Sequence, residues 1–313
     1  MFFILLLSLN KQMLKPILHN KLNKAAAKKV LANEKFKRLV ISFYRYVKIE
    51  DTKGLRNLLF EEWSKLSVLG RVYIANEGIN AQVSIPEPQL NRFKNLIGSI
   101  NLLKGIELKF GTEKNKVSFY KLSIKVKKQI VADGLKKTDF NINNIGKKLS
   151  ALDWNKKMDD GAIVVDMRNH YESEVGHFNG AVLPQSVTFR EELPMVVDLL
   201  KGKENNTVML YCTGGIRCEK ASAYLKHNGF KDVNQLDGGI INYVKSVKEN
   251  NLENKFKGLN FVFDARMSER VTDDVISKCH QCGSPCDKHI NCANLQCNLL
   301  FIQCTGCSKD NQG

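Results

Sequence analysis

No stretch of the 313-residue chain is apolar for long enough to cross a bilayer. The opening MFFILLLSLN is apolar, but no basic residue precedes it and no small-residue cleavage site follows, so it does not read as a secretory signal. We expect residues 1–12 to derive from an upstream start codon, with Met13 opening the protein proper. Internal repeats and low-complexity blocks are lacking, which leaves an ordinary globular chain. Also lacking are a dinucleotide glycine fingerprint, a flavin motif and a histidine–carboxylate iron triad, so no resident redox cofactor is announced. These absences point to the cytoplasm, where the nine cysteines read as metal ligands or nucleophiles and not as disulfides.

Charge is present but unevenly spread. Residues 1–50 carry 11 basic and 2 acidic side chains, residues 51–100 carry 6 and 5, and residues 101–130 carry 8 and 2. The remainder balances at 23 of each sign, so the whole net charge of +16 sits in the first 130 residues. Such a localised positive field suits a polyanion, although a solvated lysine-rich face has the same composition. After an N-terminal extension over 1–37, RLVISFYRYV alternates as a strand, and TKGLRNLLFEEWSKL places Leu55, Leu58, Leu59 and Trp63 on a helix face. Two strands around the Glu77–Gly78 turn, a helix over PQLNRFKNLIGSI and further strands complete a β-α-β-β-α-β order. That order predicts a ferredoxin-like, acylphosphatase-like basic domain over 38–130. A polar connector is expected over 131–150. Short apolar strands such as AIVVDMR and TVMLYCT then alternate with helices over 151–253, which predicts an α/β domain with a parallel sheet. Residues 254–313 form a linker and a cysteine-dense module.

Two clusters carry chemistry. In YCTGGIRCEKASAYL, Cys212 ends a buried strand, Thr213, Gly214, Gly215 and Ile216 form a tight anion-cradling loop, and Arg217 closes it before a helix. Backbone N–H groups and a helix N-terminus facing the sulfur lower a thiol pKa, so Cys212 is the expected nucleophile. Cys218, on the first turn of that helix, reads equally as a resolving thiol or a packing residue. The second cluster is Cys279, Cys282, Cys286, Cys292, Cys297, Cys304 and Cys307, with His280 and His289 interleaved. Its two C-x-x-C pairs suit tetrahedral zinc, and a small iron–sulfur cluster is the competing metal. Seven cysteines plus His289 would suffice for two zinc sites.

The segment VVDMRNHYESEVGHFNGAVLP resembles the rhodanese signature, with Asp166, Arg168, Glu172, Gly176, His177, Gly180 and Ala181 on its pattern, and LDGGIINY resembles its C-terminal motif. Four residues separate Cys212 from Arg217, as in sulfur-carrying rhodaneses, whereas related phosphatases use a cradle one residue longer. Asp166 and Arg168 read best as supporting, fold-stabilising groups, and His177 as a structural histidine. Together with GRVYIANEGINAQVS and CHQCGSPCDKHINCANLQCNLLFIQC, these motifs resemble the bacterial oxygen-dependent tRNA uridine hydroxylases of the rhodanese-domain family, from about Met13 to Cys307. The resemblance implies conversion of a wobble uridine to 5-hydroxyuridine, molecular oxygen as co-substrate, and the anticodon region of tRNA as partner; the sequence itself gives no sign of a membrane or of a stable protein partner. Cys212 would add to C6 of uracil with Arg217 stabilising the enolate, or would carry a persulfide. A thiosulfate-type sulfurtransferase is the other activity that the rhodanese motifs alone allow.

Overall fold

A computed structural model describes residues 18, 20, 22–111, 117–136, 140–294, 296, 297 and 299–311. Residues 1–12 and Met13, with the expectation placed on them, lie outside the described residues. A short helix, α1 (Lys24–Ala32), is capped by the Asn23 side chain on Ala26 N and leads into β1 (Arg38–Tyr46). There follow α2 (Thr52–Lys65), β2 (Leu69–Ala75), β3 (Gly78–Pro86), α3 (Leu90–Ser99), β4 (Lys109–Phe110) and β5 (Leu122–Val126). The strands lie in the order β4-β1-β3-β2-β5, with β5 parallel to β2 and the other pairs antiparallel. This is the ferredoxin-like, acylphosphatase-like architecture.

Strand alternation gives that sheet two different faces. Ile41 and Phe43 point at the helices, where Phe43 meets Trp63 edge-on at 6.2 Å and Phe93 at 6.5 Å. Val40, Ser42 and Tyr44 point the other way, where, among the described residues, no helix of this domain covers them. Helix α2 buries Leu55, Leu59, Phe60 and Trp63, and leaves Leu58 45% exposed. Sequence periodicity placed Leu58 inside, but Phe60 pulls the buried stripe round the helix and Leu58 falls beyond its edge.

The next unit comprises β6 (Lys147–Leu149), α4 (Ala151–Asp159), β7 (Ile163–Asp166), α5 (His170–Ser173), β8 (Gly176–Phe178), α6 (Phe189–Leu199), β9 (Thr207–Tyr211), α7 (Ile216–His227), β10 (Asp232–Leu236) and α8 (Gly239–Asn250). Four strands form a parallel sheet in the order β6-β10-β9-β7. Helices α6 and α7 share one core with β9 residues Val208 and Leu210, and α4 and α8 share another with Met209 and Tyr211, so both sheet faces are covered. The expected connector is partly structured: β6 pairs with β10 as an edge strand and buries Leu149. Its KKL sequence carries too little apolar signal to announce a strand.

The expected linker beyond residue 254 is likewise a strand, β11 (Phe256–Phe261), between β8 and β12 (Ser268–Arg270). A hairpin of β13 (His289–Asn291) and β14 (Leu300–Ile302), then α9 (Thr305–Asp310), complete the described fold.

Candidate active site

Strand β9 delivers Cys212 to the mouth of the loop that opens α7. Gly215 adopts φ +96°, a left-handed conformation that turns the chain into the helix, and its N–H donates to Cys212 Sγ at 3.2 Å. The helix begins at Ile216, earlier than its sequence suggests, so Arg217 and Cys218 lie within its first turn. The loop is braced from behind: Ile240 N donates to Cys212 O at 3.0 Å and Ile241 N to Thr213 O at 3.2 Å. A side chain at Gly239, whose φ is +67°, would place its Cβ 2.5 Å from Cys212 O and 2.8 Å from Gly214 N and Gly215 N. The Asp237-Gly238-Gly239 turn is therefore shaped to touch the cysteine loop.

Electrostatics at the sulfur favour the anion. Burial pushes the Cys212 thiol up, but the Cys218 thiol hydrogen-bonded to it, the Arg217 charge, and the N–H groups of Arg217 and Cys218 together hold it down to about 5. Cys218 shifts the opposite way: burial and its hydrogen bond to Cys212 push it well above the usual thiol range. The surroundings therefore favour the anion at Cys212 and the protonated thiol at Cys218.

Arg217 lines the cavity beside Cys212 and is held there by a buried ion pair. Its two terminal nitrogens grip Glu172, Nη1 to Oε1 at 2.6 Å and Nη2 to Oε2 at 2.9 Å. One N–H of each terminal nitrogen goes to this carboxylate and Nη2 also reaches Thr213 Oγ1 at 3.4 Å, so the guanidinium is held at the loop with its charge beside Cys212. Glu172, fully buried, also accepts from Asn169 N at 3.0 Å in a capping box at α5. It belonged to the signature pattern, yet only the fold shows that it anchors the loop arginine. Asp166 and Arg168 are wholly buried and doubly bonded to one another, with Tyr211 Oη donating to Asp166 at 2.7 Å and Arg168 donating to Gly176 O. They hold the end of β7 and do not line the cavity described next. His177 Nδ1 lies 2.8 Å from Ser173 O, also away from the cavity.

Cys212, Thr213, Gly214, Ile216 and Arg217 form part of the wall of a cavity of about 440 Å³. The opposite wall is the uncovered face of the N-terminal sheet, including Ser42, Tyr44, Arg71, Tyr73, Asn80 and Gln82. Several bonds clamp the two walls. Tyr44 Oη donates to Glu219 Oε1 at 3.0 Å, Tyr46 Oη to Ile216 O at 3.1 Å, and Lys109 Nζ to Gly214 O at 2.9 Å. Deeper in the interface, buried Lys220 binds Glu77 at 2.9 Å and also Asp133. Sequence reading missed this whole second wall, although the alternate tyrosines of β1 were its visible trace.

Among the cysteines of the tail, Cys279, Cys282, Cys304 and Cys307 bring their sulfurs within 4.8 Å of one another. Cys282 and Cys304 are 3.7 Å apart, close to the edge of a tetrahedron with metal–sulfur bonds of roughly 2.3 Å. Backbone N–H groups of Cys304 and Cys307 donate to Cys279 and Cys304 sulfurs at 3.3 and 3.4 Å, which suits thiolates. The donor set fits a tetrahedral metal. Cys286, Cys292 and Cys297 fall outside it. Cys286 packs instead against Val175, Leu259 and Ile302, while Cys292 and exposed Cys297 belong to the far end of the hairpin. His289 is also outside, buried with its ring edge-on to Phe261 at 5.2 Å.

A parallel-sheet domain that presents a thiolate from a glycine-bearing loop, walled by a second domain, defines a rhodanese-domain enzyme. Family models agree segment by segment: a UPF0176 acylphosphatase like domain matches residues 38–130, a rhodanese-like domain residues 150–246, and a rhodanase C-terminal model residues 257–313. The chain belongs to the tRNA uridine(34) hydroxylase family. It is 55% identical over 297 residues to the tRNA uridine(34) hydroxylase of Leptospira interrogans, covering 95% of this chain and 81% of that protein. With the Yersinia pestis tRNA uridine(34) hydroxylase it shares 49% over 300 residues, covering 95% and 84%. A solved rhodanese-like domain from Anabaena aligns over 36% of this chain and 80% of that chain, at 18% identity and a TM-score of 0.29.

Proposed function

We propose that this chain hydroxylates C5 of uridine 34 in tRNA, using molecular oxygen, with Cys212 as nucleophile. The observation that carries the reading is the Cys212 thiolate in the wall of a cavity closed by the N-terminal sheet, within a chain so similar to named hydroxylases. A base in the anticodon is unstacked at little cost and can be splayed into such a cavity. There the thiolate adds to C6, the C5–C6 π pair becomes an enolate, and oxygen is captured at C5. Tyr44 and Tyr73 supply aromatic faces for the base, and the side-chain amides of Asn80 and Gln82 supply donors and acceptors for its edge. Phosphates of the anticodon arm dock on the lysine-rich N-terminal domain.

Zinc is the proposed occupant of the Cys279, Cys282, Cys304 and Cys307 tetrad, as a structural ion for a module of few core residues. Among the described residues no helix is long and apolar enough to cross a membrane, and the proposed tRNA substrate supports a cytoplasmic location. Nucleoside mass spectrometry of tRNA from cells lacking the gene tests the function. Loss of 5-hydroxyuridine and its derivatives, restored by the wild-type chain and not by Cys212→Ser, is expected. Loss of thiolated bases instead would establish the sulfurtransferase.

A further inference from the structure

Cys218 has no part in the cavity wall, yet it packs in the same buried cluster as Cys212, whose sulfur does line the cavity. Cys212 and Cys218 are both fully buried, and they bracket the loop from its strand side and its helix side. The other seven cysteines all lie at or beyond residue 279. The reaction proposed above leaves a chemical remainder that this pair matches. Placing one atom of molecular oxygen on C5 requires the second atom to leave as water, which takes two electrons and two protons. A thiol pair closing to a disulfide releases that number of each.

We propose that Cys218 is the resolving thiol of the hydroxylation, so that the Cys212–Cys218 pair supplies both electrons and closes as a disulfide in every turnover. The assignment rests on the hydroxylase reading. Oxygen captured at C5 becomes a hydroperoxide, C5 loses its proton, and Cys212 leaves C6 as a thiolate. That thiolate attacks the distal peroxide oxygen: an S–O bond forms and the O–O bond breaks. The proximal oxygen stays on C5 and takes a proton, giving 5-hydroxyuridine, while Cys212 becomes a sulfenic acid. Cys218 then attacks the Cys212 sulfur. The S–S bond forms, the S–O bond breaks, and hydroxide leaves with the Cys218 proton as water. Uridine, oxygen and two thiols have become 5-hydroxyuridine, water and a disulfide, which a cellular dithiol reductant reopens.

The geometry suits each role. Cys212 lines the cavity, whereas Cys218 lies behind it on the first turn of α7, buried in the same cluster. While Cys212 is a thiolate, burial and its negative charge hold the Cys218 proton in place. Once Cys212 carries a hydroxyl in place of its charge, that restraint on Cys218 is lifted.

Trypsin cuts after Arg217, so Cys212 and Cys218 fall on separate peptides unless a disulfide joins them. Fully reduced enzyme, freed of external thiols without air, is mixed with tRNA bearing unmodified uridine 34, exposed to oxygen and quenched with an alkylating agent. We expect about one 5-hydroxyuridine per chain, matched by one joined peptide pair, and no joined pair when tRNA is omitted. Cys218→Ser should form 5-hydroxyuridine once and accumulate a Cys212 sulfenic acid that dimedone traps. Formation of 5-hydroxyuridine with both wild-type thiols still free, or with sulfane sulfur on Cys212, overturns the assignment and leaves hydroxylation standing. No 5-hydroxyuridine from the wild type overturns both.

Discussion

A thiol held near 5 is ionised throughout the neutral range, and this property of Cys212 can be read directly. Its folded pKa lies below the ordinary thiol value, so the thiolate is present above about 5 and is lost as pH falls through it. The rate of Cys212 alkylation, followed by mass spectrometry, should therefore be flat near neutrality and fall on acidification with a midpoint near 5. Arg217→Met removes a cation beside the sulfur and should move that midpoint upward. A midpoint left unmoved would show that the N–H groups and Cys218 suffice alone. Gly239 is as exacting as the charges. An alanine there would push on Cys212 O and the Gly214 and Gly215 amides, and a displacement of about an ångström at a reacting atom costs on the order of a hundredfold in rate. Gly239→Ala should lose hydroxylation while keeping its fold, as seen by circular dichroism.

Between elements, buried charge ties the domains together. Lys220 comes from α7, Glu77 from the β2–β3 turn, and Asp133 from the segment expected as a connector. Removing the cation strands two carboxylates, one of them fully buried, so Lys220→Met should destabilise the chain by about 3–5 kcal/mol in denaturant unfolding. The metal module makes a sharper distinction between cysteines that look alike in sequence. Elemental analysis should find about one zinc per chain. Cys304→Ser should lose it, Cys297→Ser should keep it, and a chelator should lower the melting temperature of the wild type only to that of Cys304→Ser. Loss of zinc from Cys297→Ser would refute the four-cysteine assignment. Element boundaries were legible where periodicity is strong, as in β1 and α2. They were illegible at β6 and β11, whose pairing depends on distant strands and not on their own composition.

For the molecule as a whole, the proposed function has the positive field and the thiolate act on one tRNA from different places. Affinity for tRNA should fall with salt, and about five phosphate contacts would give a log–log slope of roughly −3.5 to −4.5. Replacing exposed Lys125, Lys127 and Lys128 together by glutamate should weaken binding and flatten that slope, leaving Cys212 alkylation unchanged. The amino-acid sequence by itself determined what is local: the cysteine loop with its glycines, the two-residue period that gives the N-terminal sheet two faces, the charge asymmetry, and the cysteine density of the tail. Tertiary structure alone decided which four cysteines converge, that Arg217 is held by Glu172, and that the uncovered sheet face closes over Cys212. These pairings join residues far apart in the chain, Lys220 to Glu77 across 143 positions and Tyr44 to Glu219 across 175. Periodicity and spacing report only what neighbouring residues do, whereas partners at such distances are selected by how whole layers pack.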